Sequence, residues 1–217
     1  MSTKRIVVLI SGSGSNLQAL INACAQGDIQ ASIVAVISNR PRVYGLERAQ
    51  AAGIETQTLD HKNFAERAAF DQALKALIDS FQPDLVVLAG FMRILTAEFV
   101  QAYTGRMLNI HPSLLPAYKG VHTHQRALDD QAQIHGASVH FVTAELDAGA
   151  VVLQAEVPVL AEDTAETLAA RVLVKEHRIY PQVVAWFCAE RLSYQDGAAY
   201  LDGQRLLAPL KLKHNAV

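Results

Sequence analysis

The chain has 217 residues, of which 51% are apolar and 18% charged, and its formal charge is −2. This composition is that of a globular protein with a sizeable core, and the small net charge provides no broad basic face for nucleic acid. No apolar run approaches the ~20 residues of a membrane helix, and Cys24 and Cys188 lack metal-ligand spacing and read as buried thiols, so a reducing cytoplasmic location is expected.

Taken in order, Arg5 to Ile10 is a continuous β-branched run, the mark of a strand buried on both faces. Gly12-Ser-Gly-Ser-Asn16 interrupts it, and Leu17, Leu20, Ile21 and Cys24 then recur at helical spacing until Gly27, a C-terminal cap. Ile33 to Ile37 predicts a second strand, Leu46 and Ala49 a helix ending near Gly53, and Ile54 to Leu59 a short strand. An amphipathic helix with Phe70, Leu74, Leu77 and Ile78 stops at Pro83-Asp84, before a buried strand from Leu85 to Ala89. A short helical stretch with Phe99 and Val100 leads to a strand from Met107 to Ile110 and then a long central loop. This alternation predicts βαβ crossovers and a parallel sheet.

Beyond the central loop the rhythm changes. Ala137 to Val142 and Val151 to Val159 are joined by a loop alone, which predicts an antiparallel pair. Thr164 to Ala189 reads as a helix that Pro181 must kink or restart, Asp202-Gly203 as a hairpin turn, and the tail from Lys211 as polar and frayed. The expected fold is α/β, a Rossmann-like open sheet with a parallel N-terminal core and antiparallel C-terminal strands, in one domain over 1–217.

Three features carry chemistry. Asn109 and His111 share a face at a strand end that breaks at Pro112, where open α/β sheets place their ligands. The loop from Gly12 to Asn16 joins a strand to a helix, which favours a single phosphate; the alternative is a glycine-eased turn with Ser15 or Asn16 capping the helix. It is neither a Walker A loop nor a dinucleotide fingerprint, because no Lys follows Gly14 and Leu17 stands at the third glycine position. Five histidines, His111, His122, His124, His135 and His140, cluster in the centre, yet no thiol or His-Glu-x-x-His accompanies them, so no metal is expected. On spacing alone Asp147 is a turn aspartate, Glu176 a solvated helix charge, and Met92-Arg93-Ile94-Leu95 either packing or the wall of a slot for a flat ring.

The combination of Ser11-Gly-Ser-Gly-Ser-Asn-Leu-Gln18, Ala89-Gly-Phe-Met-Arg-Ile-Leu95 and Leu108-Asn-Ile-His-Pro-Ser-Leu-Leu-Pro116 resembles the folate-dependent formyltransferases over essentially the whole chain. Gly120-Val-His-Thr-His124, Ser138-Val-His-Phe-Val142 and Glu145-Leu-Asp-Ala-Gly149 add to the match, and the glycine loop with Glu176-His-Arg-Ile-Tyr-Pro181 narrows the resemblance to the phosphoribosylglycinamide branch. The resemblance implies formyl transfer from the co-substrate 10-formyltetrahydrofolate to the amine of 5-phosphoribosylglycinamide. By the same resemblance Gly14, Ser15 and Asn16 hold the phosphate and Glu176 the ribose. Met92, Arg93, Ile94, Leu95, Asn109 and, outside the slot, Arg67 contact the folate, and the loop around Asp147 closes over it. Residues 1–106 would then be mostly a phosphate-binding βαβ half and 107–217 the catalytic and folate-loop half. Ser13 and Ala148 depart from the common Asn and Gly of relatives without removing a catalytic group.

Direct amine attack on a formyl carbon builds an oxyanion that needs preformed donors, and one proton must leave nitrogen while another reaches the folate. Asn109 and a protonated His111 suit the first need, and Asp147 stabilises the imidazolium and can relay the proton through water. The expected partners are small molecules, with no nucleic acid and no membrane, and the assembly is a monomer or homodimer. Methionyl-tRNA formyltransferase and formyltetrahydrofolate hydrolase share the Asn109-to-Pro116 signature, but a C-terminal tRNA-binding domain and an N-terminal regulatory domain are not expected here. A non-catalytic phosphate-binding module would explain the glycine loop but not Asn109, His111 and Asp147.

Overall fold

The computed structural model describes residues 3–212. The elements run β1 (Lys4–Ile10), α1 (Ser15–Gln26), β2 (Ala31–Ser38), α2 (Tyr44–Ala51), β3 (Thr56–Thr58), a 3-10 turn at His61–Asn63, α3 (Arg67–Ser80) and β4 (Leu85–Leu88). They continue α4 (Ala97–Ala102), β5 (Met107–His111), α5 (Thr123–Asp129), β6 (Ile134–Phe141), β7 (Val151–Pro158) and α6 (Ala165–Cys188). The chain closes with β8 (Leu192–Gln195), β9 (Ala198–Leu201), β10 (Gln204–Arg205) and β11 (Leu210–Lys211).

The main sheet has the order β11-β7-β6-β5-β4-β1-β2-β3, beside a small antiparallel sheet β10-β9-β8. From β3 to β5 every pairing is parallel; β6 then lies antiparallel to β5, and β7 antiparallel to β6. The parallel core and the later antiparallel strands are thus as the sequence predicts.

Strand alternation assigns the two faces of the sheet. Ile6, Val8 and Ile10 pack with Leu17 and Leu20 of α1 and with Val172, Ile179 and Val183 of α6. Val7 and Leu9 point the other way, onto Phe70, Leu74 and Ile78 of α3 and Phe99 and Val100 of α4. Burying one such side chain contributes about 1.5–3 kcal/mol, so both faces hold β1 in place. After β1 the chain builds outward through β2 and β3, then returns to β4 on the opposite side of β1. Loops leaving the carboxyl ends of β1 and β4 therefore part at this switch point and leave a crevice between them.

Three expectations are corrected. Pro181 does not restart its helix: α6 is continuous from Ala165 to Cys188. Packing overrides the lost N–H, because Ile179, Tyr180, Val183 and Val184 are all buried around the proline. The Tyr180 hydroxyl also sits between the Leu88 and Leu108 carbonyl oxygens, at 2.9 and 3.0 Å, and fixes α6 to β4 and β5. The tail does not fray at Lys211, since Leu210–Lys211 pairs parallel with β7 and the Lys211 ammonium meets Glu156 at 2.8 Å; residues 213–217 lie outside the described residues. The central segment is not all loop, because α5 begins at Thr123.

Candidate active site

The crevice is a cleft of about 710 Å³. The first turn of α1 (Asn16), the loop after β4 (Gly90 to Leu95) and the segment after β5 (Pro112 and Gly120 to His124) line it, together with Glu176 of α6 and, after β6, Val142 to Ala144, Leu146 and Asp147. Asn109, His111 and Asp147, separated by up to 38 positions in sequence, all face it.

His111 ends β5 and is buried. Its Nε2 lies 2.9 Å from the Tyr118 carbonyl oxygen, which only accepts, so Nε2 carries a proton. Nδ1 is then the nitrogen turned to Asp147, whose Oδ2 stands 3.5 Å away with both side chains almost fully buried. An imidazolium formed here would have its second N–H on the Asp147 side. The backbone at Asp147 has φ 49°, a left-handed conformation that Asp tolerates better than most side chains. The Gly120 N–H donates to Asp147 Oδ2 at 2.9 Å, so the two loops flanking His111 are joined through this carboxylate.

His140, one of the five clustered histidines, joins the same group. It faces Asn109 directly across the β5–β6 ladder. Its Nδ1–H donates to the Phe141 carbonyl at 2.9 Å, leaving Nε2 as an acceptor, and the Asn109 Nδ2 amide donates to it at 3.1 Å. Burial lowers the His140 pKa to about 4, so the ring is neutral near pH 7 and accepts this bond. The amide of Asn109 is thereby held one way round, with its second N–H available to the cleft. The recognisable signal was the alternation of Ser138 and His140 on an adjacent strand; the missing fact was register.

The glycine loop meets the cleft from the other side. Gly14 is the N-cap of α1 at φ 71°, and no side chain caps the helix, in contrast to the alternative reading with Ser15 or Asn16 as cap. The backbone N–H groups of Ser15, Asn16 and Leu17 find no acceptor among the described residues. Gly14 is further required by contact, because a Cβ there would stand 2.6 Å from the Cα of Gly45. Asn16 donates to Glu176 Oε2 at 2.6 Å, and its own Oδ1 is buried without a partner. Glu176 is not a solvated charge: it is 7% exposed and lines the cleft, and burial raises its pKa against the lowering bond from Asn16. Gly14 and Ser15 do not line this cleft; Ser15 opens instead on a second groove between α1 and α6.

Met92, Arg93, Ile94 and Leu95 form one wall. Met92 and Ile94 are 66% and 55% exposed, a high value for apolar side chains beside a cleft. Arg93 stacks on the Phe70 ring at 4.5 Å. The backbone N–H and carbonyl groups of Arg93, Ile94 and Leu95 make no bond within the described residues and so remain available as donors and acceptors. Arg67 is exposed at the first turn of α3 and does not line the cleft. Among the described residues no group of three or more His, Cys, Asp and Glu is arranged to hold a metal ion, and no helix is long and apolar enough to cross a membrane.

Residues 4–184 match the model of a family described as formyl transferase. The chain is 57% identical over 201 residues to a phosphoribosylglycinamide formyltransferase of Escherichia coli, covering 93% of this chain and 95% of that one. It is 49% identical over 177 residues to a human trifunctional purine biosynthetic protein, covering 82% of this chain and 18% of that longer protein. A solved phosphoribosylglycinamide formyltransferase of Coxiella burnetii superposes with a TM-score of 0.93 at 49% identity, over 98% of this chain and all of that one. With family match, relatives and fold in agreement, the chain belongs to the phosphoribosylglycinamide formyltransferases, within the wider family of formyl transferases.

Proposed function

We propose that the chain transfers the formyl group of 10-formyltetrahydrofolate to the amine of 5-phosphoribosylglycinamide, and that the described cleft is where it does so. The observation that carries this reading is the meeting of Asn109, His111 and Asp147 in one cleft that also reaches Asn16 of the helix α1 N-terminus. A cleft of this volume suits a medium-sized organic molecule. Its exposed apolar wall, with unbonded backbone donors and acceptors at 93–95, fits a flat heterocycle carrying polar edges. The folate supplies the formyl group. Arg67, exposed one turn before the Phe70 that supports the wall, is in this reading a contact for the outer part of the folate, beyond the cleft itself.

In this reading the free N–H groups of Ser15 and Asn16, with Gly14 shaping the turn, bind the phosphate, and Glu176 with Asn16 binds the ribose hydroxyls. Residues 1–106 act chiefly as the phosphate-binding half and residues 107–217 as the catalytic half of one domain. Asn109 Nδ2–H and His111 Nδ1–H donate to the oxyanion as the amine adds; Asp147 stabilises the imidazolium and takes part in moving a proton from the attacking nitrogen, and the tetrahedral centre collapses by breaking the bond between the formyl carbon and folate N10, which gains a proton as it leaves. No nucleophilic side chain or metal enters. Two free cysteines fit a reducing cytoplasm.

The test is formyl loss from 10-formyltetrahydrofolate, followed with and without phosphoribosylglycinamide. Asn109→Ala, His111→Ala and Asp147→Ala are each expected to keep the fold and lose about a hundredfold or more in turnover, the usual cost of an oxyanion donor. Near-normal rates in all three would overturn the assignment of roles, and turnover without the amine would point to a hydrolase.

A further inference from the structure

The wall of the cleft hangs from the segment that carries the glycine loop. Ser11, the first residue after β1, is 4% exposed. Its hydroxyl accepts from the Met92 N–H at 2.7 Å and donates to Asn39 Oδ1 at 2.6 Å, while its own N–H donates to the Gly90 carbonyl at 3.1 Å. Asn39 follows β2, is 1% exposed, and its carbonyl accepts from His61 Nδ1–H at 2.8 Å. At the far end of the wall the Thr96 N–H donates to buried Asp71 Oδ2 at 2.6 Å. Between these two attachments residues 93–95 make no backbone hydrogen bond within the described residues. Two buried side chains therefore set where the wall stands.

The sense of the Ser11 bonds is fixed by valence. A serine hydroxyl has one proton, and the Asn39 Oδ1 takes it; the lone pairs of Ser11 are left to receive the Met92 N–H. We propose that Ser11, oriented by Asn39, is a positioning residue that sets the Met92–Leu95 wall and makes the glycine loop and the folate slot one mechanical unit. The proposal rests on the reading of that wall as the folate slot. Ser11 touches no reacting atom in this account. It acts through the backbone of Met92, and a wall displaced by an ångström presents its free N–H and carbonyl groups to the wrong points of a flat ring.

Ser11→Ala removes the acceptor and leaves a part-buried N–H without a partner, which moves the wall toward water. The expected result is a KM for 10-formyltetrahydrofolate raised about tenfold, with kcat and the KM for phosphoribosylglycinamide changed less than about threefold, as for loss of binding shared by ground and transition states. The Met92 amide should exchange its hydrogen faster in Ser11→Ala whether or not any ligand is present. Ser38→Ala is the control: that hydroxyl is fully buried at the end of β2, but it bonds the Arg40 carbonyl and does not meet the wall. An unchanged folate KM in folded Ser11→Ala overturns the proposal, as does an equal rise in both KM values or the same folate effect in Ser38→Ala. Faster Met92 exchange without any change in folate KM also overturns it. A wild-type protein that transfers no formyl group would instead refute the proposed function, and it would leave the exchange result standing by itself.

Discussion

His140→Leu separates orientation of the Asn109 amide from its mere presence. His140 is buried, and burial holds it neutral near pH 7, with a pKa lowered to about 4. Its Nε2 is the acceptor that keeps Asn109 Nδ2 in place. Leucine fills similar space and accepts nothing, so one Asn109 N–H and the Phe141 carbonyl lose their side-chain partners. Each unsatisfied buried group costs about 1–3 kcal/mol, and part is recovered because Asn109 is only half-buried and can turn to water. Stability should fall by about 2 kcal/mol, read as a shift of the urea midpoint at constant slope. The catalytic loss is set by the other half of the amide. Deleting an oxyanion donor costs about a hundred- to a thousandfold, and a donor present but free to rotate belongs at the lower end, near a hundredfold in kcat. KM for both substrates should stay within about threefold, since the bond is strengthened only as charge develops. His140→Gln restores an acceptor on a flexible stem and should fall between wild type and His140→Leu. The assay is steady-state formyl transfer with both substrates varied. A kcat for His140→Leu within threefold of wild type, in a protein that melts normally, would refute the claim that His140 positions Asn109.

Gly14→Ala should abolish phosphoribosylglycinamide binding and destabilise the fold by about 1–2 kcal/mol or more, because its φ is 71° and the new Cβ meets the Gly45 backbone; thermal melting and isothermal titration with the ribonucleotide check both halves. Acid sensitivity should come in part from buried histidines: burial lowers His135 and His140 to about 4 from 6.5, so the unfolded chain binds their protons first. Their contribution is complete above about pH 6.5 and is lost as pH falls toward 4. Urea midpoints at pH 7.5, 5.5 and 4.5 should decline, and His135→Phe should flatten the decline; a level wild-type series would refute it.

The parallel half of the sheet was legible because each strand there announces itself alone. Arg5 to Ile10 is a run buried on both faces, and Gly12, Gly53 and Gly90 mark the turns around it. Asn109 and His111 were legible by their alternation and by the proline that follows. Features that depend on the rest of the molecule were not. Pro181 breaks helices by local rules, but four buried neighbours and the Tyr180 hydroxyl carry α6 through it. Glu176 reads as a solvated charge between Lys175 and His177, and only the approach of α6 to the start of α1 shows that it meets Asn16. Ser11 looks like an ordinary loop serine, since nothing local tells that Met92, 81 positions away, donates to it.

The reversal of direction between β5 and β6 is what assembles the Asn109–His111 end of the cleft. In a parallel neighbour, side chains at the same height come from a strand whose carboxyl end lies beside that of β5, as with Leu88 opposite Asn109. In the antiparallel neighbour, Asn109 instead faces His140 and His111 faces Ser138, and directly opposed residues share one face with Cβ atoms close enough to bond. The strand then continues past β5's level into the loop that brings Asp147 back over His111. A slip of one residue would replace His140 by Val139 or Phe141 and turn the imidazole to the other face of the sheet. Register therefore decides which side chains meet in the cleft: Ser138 opposite His111 anchors it, its hydroxyl donating to the Ser113 carbonyl at 2.6 Å and accepting from the Leu115 N–H at 3.0 Å and from Gln154 Nε2 at 2.9 Å. The hydroxyl that fixes the chain after the strand end also fixes which residue stands beside Asn109.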